Sequence, residues 1–342
     1  MLYSFELLKH ANIRYRDALP SLARCELFAM LFALDISTEI VQETMGGSRF
    51  LTINCRELSG QELSFLFGHS SIVFMAEKEN GMLRPLSVNS GEYFPDDLPE
   101  VLKYKGKTNA SFTRMMINAA VSLSRFRCHS DPLTLFDPIC GKGTSCFCAL
   151  AAGMNAVGLD LDRKDIREAS DYFSRYLKFH KLKHVQENLS ETFSGKSLPV
   201  TVFRFSDTKD HYQQGNTRCL KLAYADTAES PAFFRKEKAH IIVADLPYGV
   251  QHAPQSGSSS ESLKHFLLRV LPSWKQVLYP GGAMAISFNT LTLRSQDLRD
   301  ILTLTGFKLP NNDHFSHLSH EVEHAVVRDV VFAVNSEEEL VV

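Results

Sequence analysis

Between residues 14 and 34, apolar side chains recur every three or four positions (Leu19, Leu22, Ala23, Leu27, Met30, Leu31, Leu34), which predicts a helix. Residues 50–53 and 72–76 are short apolar runs that read as strands, with a helix between them over 57–67. Helix, strand, helix and strand make a small α/β unit over residues 1–95, either a substrate-recognition module or a folding support. Residues 93–98 (YFPDDL), with Pro95 and two acids, read as the linker out of it. Residues 112–123 form a further helix candidate just before the strongest pattern in the chain.

That pattern is LTLFDPICGKGTSCFCALAAGMNAVGLDLD, residues 133–162. An apolar run ends at Asp137. Gly141 and Gly143 bracket Lys142, and residues 145–152 are small and apolar, as in a helix packed closely on a sheet. A second apolar run, 154–159, ends at Asp160. Strand, glycine turn, helix and strand open a nucleotide-binding α/β fold. An amphipathic helix follows over 163–180. Residues 184–215 are polar and irregular, with a single hairpin strand at 200–205 (VTVFRF), and read as an insertion. A third strand, 220–225, ends at Asp226 and Thr227. HIIVA, residues 240–244, is continuously apolar, as expected of a central parallel strand, and runs into Asp245-Leu246-Pro247-Tyr248-Gly249. Residues 251–261 are rich in Gly and Ser and predict a mobile loop over the crevice. Helices over 262–278 and 298–305, a turn at Pro280-Gly281-Gly282, a strand over 283–288 and a last strand over 324–334 complete the pattern. The alternation predicts an α/β, Rossmann-like second domain over 96–342. Its seven-strand, mostly parallel sheet carries helices on both faces and ends in an antiparallel pair.

Composition narrows the partners. The chain has 342 residues, 44% hydrophobic and 22% charged, as in ordinary soluble globular proteins. A net charge of −2 gives no overall positive field, so a nucleic-acid surface has to be local. The candidate is residues 101–129, where Lys103, Lys105, Lys107, Arg114, Arg125 and Arg127 occur with no acid among them. They predict either a phosphate-binding segment or a solvated helix face. Seven cysteines without a C-x-x-C pair argue against a zinc finger, and Cys140, Cys146 and Cys148 read as packing residues. No metal is expected. Glu6, Lys9 and His10 interrupt the first apolar stretch, so it does not read as a signal peptide. No run approaches the ~20 apolar residues of a membrane span. A reducing, cytoplasmic setting is the default expectation.

The glycine turn has the chemistry of a ligand site. Glycine lets backbone approach a ligand, a helix start offers N–H groups, and Asp160, nineteen residues after Gly141, is placed to accept from a ribose. A P-loop would need a Lys before Thr144, and a nicotinamide turn would need Gly where Cys146 stands. Asp137-Pro138-x-Cys140-Gly141-x-Gly143-Thr144, followed by Gly158-x-Asp160-x-Asp162, resembles the S-adenosylmethionine (SAM) site of class I methyltransferases, in particular those acting on exocyclic amines of nucleic-acid bases. The resemblance implies SAM as cofactor, held by these residues with Leu161, Asp226, Thr227 and Asp245. Asp226 is then placed to accept from an adenine amine; otherwise it is a surface acid.

Asp245-Leu246-Pro247-Tyr248-Gly249 resembles the D-P-P-Y-G motif of tRNA guanosine-N2 methyltransferases that carry a THUMP-type N-terminal region. The core of the resemblance covers about residues 100–335. It implies that Asp245 and the carbonyl of Leu246 accept the N–H groups of a base amine, localising its lone pair. Tyr248 stacks on the flipped base and Pro247 stiffens the turn. Leu246 stands where the motif has Pro, which removes a rigid ring but keeps the carbonyl. The implied function is methyl transfer to guanine N2 of tRNA, with RNA held along Lys103–Arg127. The alternatives are a DNA amino-methyltransferase (adenine N6 or cytosine N4), an inactive SAM- and RNA-binding protein, and a small-molecule methyltransferase with little use for Tyr248.

Overall fold

Tyr3, Phe5 and Leu7 are all buried on β1 (Leu2–Leu7), the first strand of the computed structural model. The structure describes residues 1–10, 13–88, 93–95, 97–102, 107–127, 129, 131–234, 237–247, 255–256, 259–260, 262–316, 318–323 and 325–338. After β1 come α1 (Ile13–Ala33), β2 (Ile40–Met45), β3 (Ser48–Asn54), α2 (Gly60–Phe67), β4 (Ile72–Glu79) and β5 (Met82–Pro85). The sheet order β2-β3-β1-β4-β5 is antiparallel throughout, a β-α-β-β-α-β unit extended by one strand. Both predicted helices and both predicted strands are present, and β1, β2 and β5 add to them. Periodicity misses β2 because only Ile40 is buried on it, and β1 because Glu6 interrupts a six-residue run. Ser59 starts α2 with a reciprocal cap: its side chain accepts from the Glu62 amide while Glu62 accepts from the Ser59 amide.

The remaining elements are α3 (Ala110–Leu123), β6 (Thr134–Asp137), α4 (Thr144–Ala151), β7 (Asn155–Asp160), α5 (Arg163–Phe179), β8 (His184–Phe193), β9 (Lys196–Phe205), α6 (Lys209–Gln213), β10 (Arg218–Tyr224) and β11 (Ala239–Asp245). A two-residue pair β12 (Gln255–Ser256) and β13 (Ser259–Ser260) precedes α7 (Leu263–Val277), β14 (Leu278–Asn289), α8 (Ser295–Leu304), β15 (His320–Glu323) and β16 (Val326–Val334). They build a sheet in the order β15-β16-β14-β11-β6-β7-β10-β9-β8. The block β14-β11-β6-β7-β10 is parallel, and both flanks are antiparallel.

The sheet therefore has nine strands among the described residues rather than seven, and it is mixed rather than mostly parallel. The extra strands correct the insertion predicted over 184–215. β8 and β9 form a hairpin of two ten-residue strands, closed at Ser194 and Gly195, both at positive φ (48° and 78°). β8 is the sheet edge and is largely exposed, so its polar sequence carries no burial pattern to read. The turn predicted at Pro280-Gly281-Gly282 lies inside β14. Gly281 is at φ +80°, and a Cβ there would strike the Arg125 side chain, so these glycines admit a neighbouring chain instead of reversing their own.

Apolar cores cover both sheet faces. Leu135, Ile241 and Val243 face one that runs through Met115 and Ala119 of α3 to Leu27 and Met30 of α1. Phe136, Ile242 and Ala244 face the other, with Trp274 of α7. At the junction of the two sheets, Glu26 of α1 is fully buried. It accepts from the Ser70 amide at 2.7 Å and from Asn118 Nδ2 of α3 at 2.7 Å, and the Ser70 hydroxyl also donates to it.

Candidate active site

β6 places Asp137 4% exposed at the turn. Its Oδ1 accepts the Ile139 amide at 3.1 Å, and Oδ2 accepts the Ser145 hydroxyl. Burial pushes the Asp137 carboxyl up to about 7, and like charge on Asp160 and Asp245 adds to the rise. The turn is tight: the Cys140 amide donates to Leu159 O and the Gly143 amide to Cys140 O, each at 2.8 Å. Gly141 and Gly143 sit at φ +50° and +85°. A Cβ on Gly141 would meet nothing nearer than Asp165 Oδ2 at 3.9 Å, so space lies open against the backbone there. Gly143 begins α4 with no side-chain cap. Pro138 and Thr144 are buried beneath the turn.

β7 delivers Asp160. Its Oδ2 accepts the Gly141 amide at 2.7 Å and its Oδ1 the Asp162 amide at 2.8 Å, and burial raises its carboxyl too. Leu161 beside it is 44% exposed, an apolar side chain at the strand end. Gly158, which opens the Gly158-x-Asp160-x-Asp162 pattern, lies on the same strand. A Cβ there would lie 2.8 Å from Cys140 Sγ and 2.9 Å from Cys146 Sγ, so its bare α-carbon is what lets the turn seat. Cys140, Cys146 and Cys148 are all buried packing residues. Lys142 turns to α5, where it pairs with Glu168 and lies 3.7 Å from Asp165.

β11 ends at Asp245, opposite Ser287 of β14. The Leu246 amide donates to Ser287 O at 2.8 Å, and the Leu246 side chain is 1% exposed in the apolar core. This explains the missing Pro. A proline would delete the hydrogen bond and leave the core, so at this position the strand pairing supplies the stiffness. Pro247 is half-buried; Tyr248 lies outside the described residues, as do Gly249 and most of 251–261. Two residues to which the sequence assigns no role, Thr108 in KYKGKT (103–108) and Arg328 in HAVVRDV (324–330), meet Asp245 here. The Thr108 hydroxyl donates to Asp245 Oδ2, and Arg328 Nη2 lies 3.8 Å from that oxygen. Arg328 had one signal, a cation inside the apolar run 326–334.

Other predicted residues take different places. Asp226 accepts the Ala228 amide at 2.9 Å and pairs with Arg269, whose Nη1 is 3.0 Å from both carboxylate oxygens. Thr227 is 3% exposed and accepts Trp274 Nε1 at 2.8 Å, so its side chain serves packing. The basic segment is divided. Lys103 and Lys105 lie outside the described residues. Lys107 donates to Pro99 O at 2.5 Å. The Arg125 amide donates to Gly281 O at 2.9 Å, and Arg127 lies 3.6 Å from Asp35. Arg125 thus sits where β14 starts, at the opposite end of that strand from Asp245. No helix among the described residues is long and apolar enough to cross a membrane.

Asp137, Asp160 and Asp245 therefore converge at the C-terminal ends of β6, β7 and β11, around the strand at which the sheet order reverses, where α/β folds hold ligands. Three carboxylates around an open glycine turn suit a ligand that carries positive charge and hydroxyls.

No family model and no curated protein matches the chain. Solved structures similar to it include TrmN from Thermus thermophilus (17% identity, TM-score 0.42, covering 87% of this chain and 59% of that one). Magnesium protoporphyrin IX methyltransferase from Synechocystis PCC 6803 with bound SAM is 14% identical (TM-score 0.38, 68% of this chain and 87% of that one). A TehB-like SAM-dependent methyltransferase from Corynebacterium glutamicum is also 14% identical (TM-score 0.35, 61% and 84%). The chain thus spans 59% of the length of the Thermus protein.

Proposed function

We propose that the protein is a SAM-dependent RNA methyltransferase that acts on an exocyclic amine of a base, guanine N2 of tRNA. What supports this reading is that Asp245-Leu246-Pro247 ends a central strand with the carboxylates of Asp137 and Asp160 close by, at the Asp137–Thr144 turn. SAM supplies a methyl group on a positively charged sulfur, which keeps the C–S electron pair on transfer. Its charge suits the three carboxylates, its ribose suits Asp160, and its adenine suits exposed Leu161. In the base amine the lone pair is delocalised into the ring. Asp245 and the Leu246 carbonyl accept its N–H groups and localise that pair, which forms the new N–C bond; the nitrogen then sheds one proton to solvent. Tyr248, next in the motif, would serve by stacking on a base drawn out of its helix or loop.

The test is methyl transfer from labelled SAM to total RNA and to genomic DNA, with wild type and Asp245→Ala in parallel, followed by nucleoside analysis. RNA labelling that the substitution lowers at least ~10²-fold, recovered as N2-methylguanosine, is the expected result. Labelling of DNA alone assigns the enzyme to the DNA amino-methyltransferases instead. SAM binding with no labelling of either polymer assigns it to the inactive binding proteins.

A further inference from the structure

Asp245 is anchored from outside its own turn. Oδ2 receives the Thr108 hydroxyl and faces Arg328 Nη2 at 3.8 Å. Arg328 is 5% exposed and lies opposite Asn289 in the β14–β16 pairing. Its guanidinium carbon sits 5.0 Å from the centroid of the Phe112 ring. From there, ring contacts run from Phe112 to His320 (5.4 Å), His320 to Tyr15 (6.2 Å) and Tyr15 to His10 (4.7 Å). His10 Nε2 lies 2.9 Å from Asn109 Nδ2, and Asn109 is the neighbour of Thr108. The contacts close a ring that begins and ends at Asp245 and passes through the N-terminal unit.

We propose that Arg328 is a positioning residue for methyl transfer, holding the Asp245 carboxylate in the orientation that receives the base amine; this rests on the function proposed above. At 3.8 Å the guanidinium acts through charge, while Thr108 supplies the directional hydrogen bond on the same oxygen. Burying a guanidinium is costly, and the cost is recovered only where its charge has a fixed partner. Phe112 fixes the guanidinium plane, and through His320, Tyr15 and His10 the N-terminal unit supports the same assembly. That unit is then part of the catalytic apparatus and not only a handle for RNA.

The test compares wild type, Arg328→Met, Arg328→Ala and Asp245→Ala on the full chain with SAM and RNA. Methionine keeps the apolar stem over Phe112 and removes the charge. The expected result is a kcat lower by about 10²-fold in Arg328→Met, with KM for SAM within about twofold of wild type. Millimolar guanidinium chloride is expected to restore at least ~10-fold of the lost kcat to Arg328→Ala and none to Asp245→Ala, which a purely structural role would not produce. A kcat within twofold of wild type in Arg328→Met overturns the proposal. So does loss of kcat together with SAM binding in both Arg328 variants without guanidinium rescue. Full activity of Asp245→Ala overturns the reading of the site itself, and this inference with it.

Discussion

Asp137→Asn is a nearly isosteric change that removes one buried charge. The asparagine Oδ1 can still accept the Ile139 amide, and its amide can donate to the Ser145 oxygen, so the hydrogen-bonding geometry survives. In the folded protein the Asp137 carboxyl is pushed up to about 7, chiefly by burial, against about 3.9 in an unfolded chain. The folded state therefore binds a proton that the unfolded state has released between about pH 4 and 7. The stability this provides is intact below about pH 4 and is lost as pH rises to about 7. Three units at 1.36 kcal/mol each make the loss about 4 kcal/mol. The substitution removes the titration, so the Asp137→Asn variant should match wild type near pH 4 and exceed it by up to about 4 kcal/mol at pH 8. Urea unfolding followed by circular dichroism at pH 4, 6 and 8, on both proteins, measures the difference with other titrations cancelling. Parallel pH dependences, or a less stable variant at pH 8, would refute the argument. If the carboxylate is kept because a cationic cofactor relieves it, SAM should stabilise wild type at pH 8 more than the variant.

Three further outcomes follow from the site. Gly158→Ala puts a methyl group within 3 Å of two sulfurs; it is expected to cost about 1–3 kcal/mol and weaken SAM binding. Calorimetric titration checks the affinity, and adding Cys146→Ala should recover part of it. Leu246→Pro, although it completes the D-P-P-Y-G form, empties a core position and deletes the bond to Ser287 O. The expected loss is about 2–4 kcal/mol, read as a lower urea midpoint; an unchanged midpoint would show that the strand pairing adds nothing. Thr108→Val removes the hydroxyl that Asp245 Oδ2 accepts, and we expect about a tenfold loss of kcat at unchanged SAM affinity, measured by steady-state kinetics.

The parts of the molecule that could be read from its sequence are those where burial writes a pattern. β6, β7 and β11 are enclosed on both faces, so the residues leading into Asp137, Asp160 and Asp245 are apolar (135–136, 156–159 and 241–244). β2 and β8 escape because an exposed strand needs no apolar side chains. Thr108 and Arg328 escape for another reason. Thr108 meets Asp245 across 137 positions, through a contact that only the closed fold creates. Arg125 stays exposed, and what the sequence does not show is that its stem lies along Gly281, at the far end of β14 from the site.

Glu26 binds both halves of the molecule at once, with Ser70 on one side and Asn118 on the other, inside an apolar core shared by both sheets. Pulling the halves apart would take the Asn118 donor from Glu26 and expose the apolar surface the two sheets share, a state less favourable than the native one. Partial opening is thus suppressed: heat should melt the two sheets in one concerted step, and protease nicking at the 93–98 connection should release no independently stable fragment.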